Sequence, residues 1–332
     1  MRSLYFLVPG TTGQFACGGL WAELKTLALA KNLCEATLVT YQQREPDTLF
    51  LPDVLRRDDL DNVIFVVSWG FHVARLVKKL HHCNVVYHAH SAGYGFRLPA
   101  DIPIIAVSRN TMSYWGQHAP NALIYYLPNY ISESFRNENR PRDIEVLLQT
   151  RKSSAYLLKQ LVPALRQHCQ VTVVETYIED IVGLFNRSQV YLYDSAEYWA
   201  QQRVSEGFGL PPMEALACGC QVFSSVNGAL ADYLDPGFNC HKIAGYSTAY
   251  DVARILDVLR SPVNRTLPDS FFKEYRQHNL LKRLQVILAE LNLFFDHRRS
   301  QPSDIPSLTR WRLAQLFMQR LHKKLNQVLQ SG

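Results

Sequence analysis

Short apolar runs of about five residues recur through the first 130 residues, most of them closed by proline or serine. Leu4–Val8, Ala36–Tyr41, Asp61–Ser68, Asn84–His90, Ile104–Ser108 and Leu123–Leu127 are apolar nearly throughout, the pattern of strands buried on both faces. Helical periodicity fills the gaps. One helix begins near Leu20, with Leu24, Leu27 and Ala28 on its apolar side. A second covers about Phe71–Leu80, and a third runs from a Ser108 cap to about Gln117. Strands alternating with helices predict an α/β fold with a parallel sheet covered on both sides.

The polar stretch 132–143 carries no apolar period and marks a boundary. The alternation then restarts. Strands are expected at Glu145–Leu148, Val171–Val174 and Gln189–Tyr193, and helices at about Ser154–Gln167, Ile178–Phe185, 252–260 and 271–295. The chain therefore divides into 1–135, 142–297 and a tail at 300–332. Ligands of such sheets bind beyond the carboxyl ends of the strands.

Residues 205–225, SEGFGLPPMEALACGCQVFSS, concentrate the chemistry. A loop to Leu210 is followed by a helix from Pro211 to about Ala217, because proline is tolerated at a helix start. Gly219 ends it as a left-handed cap, and Cys220–Phe223 reads as a strand. Glu206 then lies in the loop and Glu214 in the first helical turn. Gly207, Phe208 and Gly209 allow close backbone approach to a ligand, and the free N–H groups of a helix start favour anions. Two carboxylates beside an anion site suit a ligand with both phosphate oxygens and sugar hydroxyls.

Composition narrows the options. Hydrophobic residues make up 47% and charged residues 19% of 332, a globular balance. The net charge of +6 fits an anionic small ligand or membrane surface without requiring nucleic acid. Seven scattered cysteines form no disulfide framework, which points to a reducing cytoplasm, and Cys218-x-Cys220 reads as core packing. MRSLYFLVPG is too short for a signal peptide, and no apolar run spans a bilayer. Asp59-Leu60-Asp61 precedes a strand, away from the cleft. The glycines at 10–19 form neither G-x-G-x-x-G nor G-K-[ST], which argues against a dinucleotide dehydrogenase and a P-loop enzyme.

The pattern from Glu206 to Glu214, EGFGLPPMEALACG, resembles the retaining glycosyltransferases of family 4, which have the GT-B fold of two Rossmann-like parallel-sheet domains facing a cleft. Gly18-Gly19, VVYHAHS with His90, AVS at 106–108, LPN at 127–129, Arg151-Lys152 and SSVNGALADYL are similar to further elements of that family, over roughly residues 4–295. The resemblance implies sugar transfer from a nucleotide-sugar to a glycan, lipid-linked or small-molecule hydroxyl, with retention and with neither metal nor cofactor. It implies that Arg151 and Lys152 hold the leaving pyrophosphate, with Gly18 and Gly19 closing over it. Glu206 would bind donor-sugar hydroxyls, Glu214 the ribose, and His90 would lie near the reacting centre. Strand alternation puts His88 on the same face as His90, which is preferred as nearer the strand end. Arg151 and Lys152 are adjacent here, whereas the family separates them and its lysine position falls near Tyr156. The alternatives are a non-catalytic nucleotide-sugar or glycan binder on this fold, and a sugar-nucleotide epimerase.

After the QPSDIPS linker, one side of a last helix is expected to carry Trp311, Leu313, Leu316, Phe317, Leu321, Leu325 and Val328. The other carries Arg310, Arg312, Arg320, Lys323 and Lys324. Through residues 308–329 such a helix can lie on an anionic membrane, or dock on its own chain or on a second subunit.

Overall fold

A computed structural model describes residues 1–15, 17–176, 178–261, 267–306 and 308–330. The first domain holds β1 (Ser3–Val8), β2 (Ala36–Thr40), β3 (Leu49–Phe50), β4 (Val63–Val67), β5 (Asn84–Ala89), β6 (Ile104–Ala106) and β7 (Ile124–Tyr126). They form one parallel sheet in the order β3-β2-β1-β4-β5-β6-β7. Every residue of β4 and β5 is buried: β4 is apolar throughout, and β5 is apolar but for Asn84 and His88, whose side chains are hydrogen-bonded. The strand order reverses between β1 and β4, so a crevice opens at their carboxyl ends.

The second domain holds β8 (Ile144–Gln149), β9 (Val171–Val174), β10 (Ser188–Tyr193), β11 (Gln221–Ser224) and β12 (Cys240–Lys242), parallel in the order β12-β11-β10-β8-β9. Its reversal lies between β8 and β10. β8 ends just before Arg151 and Lys152, and β10 just before the segment leading to Glu206.

The differences from expectation have local causes. β3 and β12, of two and three residues, are too short to show a period. The helix expected over Ser154–Gln167 contains a π-helical turn at Leu157–Leu161 before an α-helical turn at Val162–Leu165. Pro163 has no N–H to continue the regular ladder there. The segment expected as a loop before Glu206 holds the helix Ala196–Gln202, ended by Arg203 in the left-handed region at φ 56°. The Cys218 and Cys220 side chains are buried in the second domain's core.

The apolar period at 271–295 is real, but the helix Gln277–Ser300 packs on the first sheet. Leu284, Leu288, Leu291 and Phe295 are buried against Leu4, Phe6, Ile64 and Val66. Arg2 ties this helix down, with its Nη2 2.6 Å from Asp296 Oδ1 and its backbone N–H donating to Asn292 Oδ1 at 3.0 Å. The chain thus crosses from the second domain back to the first, which fastens the two together.

Among the described residues, the helix Arg310–Gln330 is not buried against the two domains: all residues from 308 to 327 except Arg312 are exposed. Among the described residues, no helix is long and apolar enough to cross a membrane.

Candidate active site

Glu206 is buried at 5% exposure, and its Oε2 accepts three hydrogen bonds: Tyr193 Oη at 2.7 Å, Ser195 Oγ at 2.9 Å and Trp199 Nε1 at 2.6 Å. Tyr193 ends β10, Ser195 follows it, and Trp199 lies on the helix Ala196–Gln202. The side chain is therefore locked by the carboxyl edge of the second sheet. The Lys152 ammonium stands 4.3 Å from the centre of the Trp199 ring, a cation–π contact. Burial lowers the Lys152 pKa, and the Glu206 carboxylate opposes that shift. Lys152 takes a left-handed backbone, φ 65°, which turns the chain sharply after β8. Arg151 is exposed beside it. Tyr156, at the family's usual lysine position, instead donates to the buried Asp251 at 2.7 Å.

The helix expected from Pro211 begins at Leu210, so Glu214 falls just past its first turn. It ends as expected: Gly219 is left-handed at φ 84°, its N–H donates to Leu216 O, and Cys220 N–H donates to Ala215 O. Pro211 and Pro212 occupy the first turn and have no N–H. The donors left for an anion are the N–H groups of Leu210 and the preceding loop. Phe208 can contribute only its backbone, because its ring is buried 5.4 Å from that of Tyr233 and 5.6 Å from that of Tyr275.

The glycines of this loop differ in purpose. Gly209 has φ 77°, and a Cβ there would come 2.2 Å from Leu230 Cδ2. A Cβ on Gly207 would come 1.4 Å from the His90 carbonyl oxygen, so Gly207 is where the second domain touches the first. Ser205 N–H donates to Ala92 O at 2.8 Å, and Arg109 N–H to Asp232 Oδ2 at 2.6 Å, across the same junction. Gly207→Ala is expected to hold the domains apart and lower turnover at least about tenfold with far-UV circular dichroism unchanged, since backbone cannot yield to such an overlap. A Cβ on Gly18 would meet nothing within 4 Å. Loss of activity in Gly18→Ala would therefore report a ligand at that position rather than a folding defect.

On the first-domain side, the helix Gly18–Ala30 starts with both glycines in its first turn, after Cys17, which provides no side-chain cap. One turn on, Glu23 is 1% exposed, and its Oε2 lies 2.5 Å from His88 Nδ1 and 2.7 Å from His90 Nε2. The two histidines share a face, as alternation requires. His88 is 2% exposed and turns inward beside Leu4 and Phe6, whereas His90 is 13% exposed. Burial raises the Glu23 pKa, but the two imidazoles more than offset it, to about 2. Burial and the neighbouring His88 lower the His90 pKa. At neutral pH His90 is thus an uncharged imidazole whose Nε2–H donates to the Glu23 carboxylate, which leaves Nδ1 as an acceptor.

Glu23, His88 and His90 also offer three ligand atoms within 4.8 Å of one another. Ligands around a tetrahedral ion at 2.0–2.1 Å stand roughly 3.3 Å apart, so the 2.5 and 2.7 Å separations here are those of hydrogen bonds. Among the described residues this is the one such group.

Glu214 completes the cleft. Burial raises its pKa to about 7, and Lys25, on the facing side of the helix Gly18–Ala30, holds it from rising further. Where the domains meet, a cavity of about 280 Å³ is lined by Ala92, Asn110, Tyr114, Arg203 and Ser205 among others. The carboxyl edge of the first sheet also carries Phe71, 66% exposed, with its ring 4.9 Å from that of Tyr94. The site residues chosen from sequence thus gather on two facing edges. The partners that hold them were missed: Tyr193, Ser195, Trp199, Glu23 and Lys25.

Residues 143–278 match the family model described as glycosyl transferases group 1. A stretch of 106 residues, 31% of this chain, is 27% identical to the serotype-specific mannosyltransferase WbdA of Escherichia coli, and it spans 10% of that protein's length. The fold is that of GT-B glycosyltransferases. Sucrose-phosphate synthase from Thermosynechococcus elongatus superposes with a TM-score of 0.63 at 13% identity, over 88% of this chain and all of the other. Anabaena HepE, solved in complex with UDP and glucose, gives 0.63 at 14% identity, over 87% of this chain and all of the other.

Proposed function

We propose that this protein transfers a sugar from a nucleotide-sugar to an acceptor hydroxyl, with retention of anomeric configuration and without a metal ion. The observation that carries this reading is Glu206, fixed by three donors on Oε2 and set beside Lys152 and the start of the helix Leu210–Ala217. With Oε2 saturated, Oε1 accepts from hydroxyls of the donor sugar. Charge developing on the leaving diphosphate is met by Lys152, by Arg151 and by the N–H groups of 207–210. From the other side the start of the helix Gly18–Ala30 supplies further donors. His90 Nδ1 accepts a hydroxyl proton of the donor sugar or acceptor. The departing phosphate oxygen takes the acceptor proton as the new bond forms on the face that the leaving group vacates. Phe71 and Tyr94 offer an aromatic ledge against which an acceptor sugar ring can pack.

Among the structures that share this fold, HepE is described with UDP and glucose bound, and the family match covers the half that carries Glu206 and Glu214. The test is a thermal-shift screen across UDP-, GDP-, ADP- and dTDP-sugars, because a ligand that binds only the folded chain raises its melting temperature. One nucleotide class is expected to stabilise. No shift with any of them removes the assignment.

Glu214 adds a pH signature. In this reading its carboxylate accepts the ribose hydroxyls, and only the ionised form offers all its lone pairs. Because its pKa is raised to about 7, nucleotide affinity should strengthen as pH rises through that value. Lys25→Met should move the midpoint upward. Calorimetric titration of the stabilising nucleotide at pH values on both sides of the midpoint checks both, and a flat profile counts against the ribose contact.

A further inference from the structure

We infer that the helix Arg310–Gln330 lies on an anionic lipid bilayer and holds the chain at its surface. Three observations carry this, and none depends on the activity proposed above. The apolar side chains of this helix stand exposed among the described residues: Trp311 is 73% exposed, Phe317 60%, Met318 63% and Leu325 61%. These side chains are not scattered. At 100° per residue, Trp311, Ala314, Phe317, Met318, Leu321 and Leu325 share one arc of about 120°. Leu313 and Leu316 fall on the other side, among the cations, rather than in the apolar stripe expected from sequence.

Four of the five cations, Arg312, Arg320, Lys323 and Lys324, lie outside that arc, while Arg310, in the first turn, falls within it. Residues 310–330 hold five cations (Arg310, Arg312, Arg320, Lys323 and Lys324) and no Asp or Glu, so they carry five of the chain's net six positive charges. Twenty-one helical residues extend about 31 Å. The segment does not qualify to cross a membrane, and its cations would be stranded in the hydrocarbon if it did. An apolar stripe flanked by arginine and lysine, with a tryptophan near one end, is the composition of a helix in the plane of the interface.

The competing occupant is the same helix of a second copy. Pairing the two stripes would bring cations of both copies together with no acidic side chain of either helix to answer them. An anionic surface answers all five at once. The 301–309 linker, with Pro302 and Pro306, joins this helix to the body of the chain and lets its stripe face the lipid.

The experiment is co-sedimentation of the full chain with vesicles of phosphatidylcholine alone and of phosphatidylcholine with phosphatidylglycerol. Binding is expected at least about a hundredfold tighter to the anionic vesicles and weakened by salt. Each neutralised cation should weaken it roughly fivefold, so Arg320→Gln, Lys323→Gln and Lys324→Gln together should cost about a hundredfold. Phe317→Ser with Leu321→Ser should abolish binding even with all charges kept. A blue shift of fluorescence on vesicle addition should be lost in Trp311→Phe. Because the substituted side chains are exposed in the described structure, every variant should melt as the parent does. Equal binding to both vesicles, or full binding by a chain ending at residue 305, overturns the proposal. So does a helix-dependent dimer in sedimentation velocity that binds no vesicles.

Discussion

Glu206→Gln is expected to lower kcat/KM at least about a hundredfold and to cost about 1–3 kcal/mol of stability. Three donors end on one carboxylate oxygen. The amide replaces one oxygen with a group that itself donates. The hydroxyls of Tyr193 and Ser195 can rotate to adapt, but the Trp199 indole N–H cannot. Either Trp199 is left without an acceptor, or the amide nitrogen turns towards the donor sugar where an acceptor is needed. Both outcomes also remove the negative charge that Lys152 faces. Trp199→Phe is the informative companion, since it deletes one donor but keeps a ring beneath the Lys152 ammonium, and it should cost less. Steady-state kinetics with denaturant melts separate the two effects. Unchanged kcat/KM in Glu206→Gln would remove this residue from the site.

Glu23→Gln should act through His90. The carboxylate receives both imidazoles on one oxygen, and it fixes which His90 nitrogen carries the proton. A glutamine can accept one N–H but presents a donor to the other ring. His90 then loses its preferred tautomer, and kcat should fall about 10- to 100-fold with donor KM changed less. A purely structural role would not split the two constants. The pH dependence of stability gives an independent signature. The Glu23 pKa is depressed from an ordinary 4.5 to about 2 in the folded chain. Its contribution is therefore fully present above pH 4.5 and lost as pH falls towards about 2. Glu23→Gln lacks this term, so it should be less stable by on the order of 3 kcal/mol near neutrality and lose less than the parent on acidification. Parallel acid limbs for the two proteins would contradict that account.

What the sequence disclosed follows the physics of each feature. Strands buried on both faces are apolar throughout, as in β4, or nearly so, as in β5, so they stood out, while β3 and β12 are too short to have a pattern. The segment around Glu206 was legible because glycine and proline mark backbone geometry: Gly209 and Gly219 take the left-handed conformations that their positions demand. The residues that hold Glu206 were not legible. Tyr193, Ser195 and Trp199 precede it by 13, 11 and 7 residues, with no common period, and the short helix that carries Trp199 resembles a loop. Glu23 looked like an ordinary polar position on an amphipathic helix, and only packing of that helix against β5 reveals its histidine partners. The period of the helix Gln277–Ser300 was plain, but a period cannot say which sheet the apolar side will cover.

These features converge on one claim, that the cleft cleaves the bond between a sugar and a nucleoside diphosphate. The most direct measurement incubates the full chain with the stabilising nucleotide-sugar, with and without glycan acceptors, and follows the products by NMR. The expected result is release of nucleoside diphosphate, slow with water alone and faster with a suitable acceptor, a product of retained anomeric configuration, and near-complete loss in Glu206→Gln. A donor that binds yet stays intact would mark the protein as a binder on this fold. A donor converted in place to a different nucleotide-sugar would mark it as an epimerase, and either result would contradict the claim.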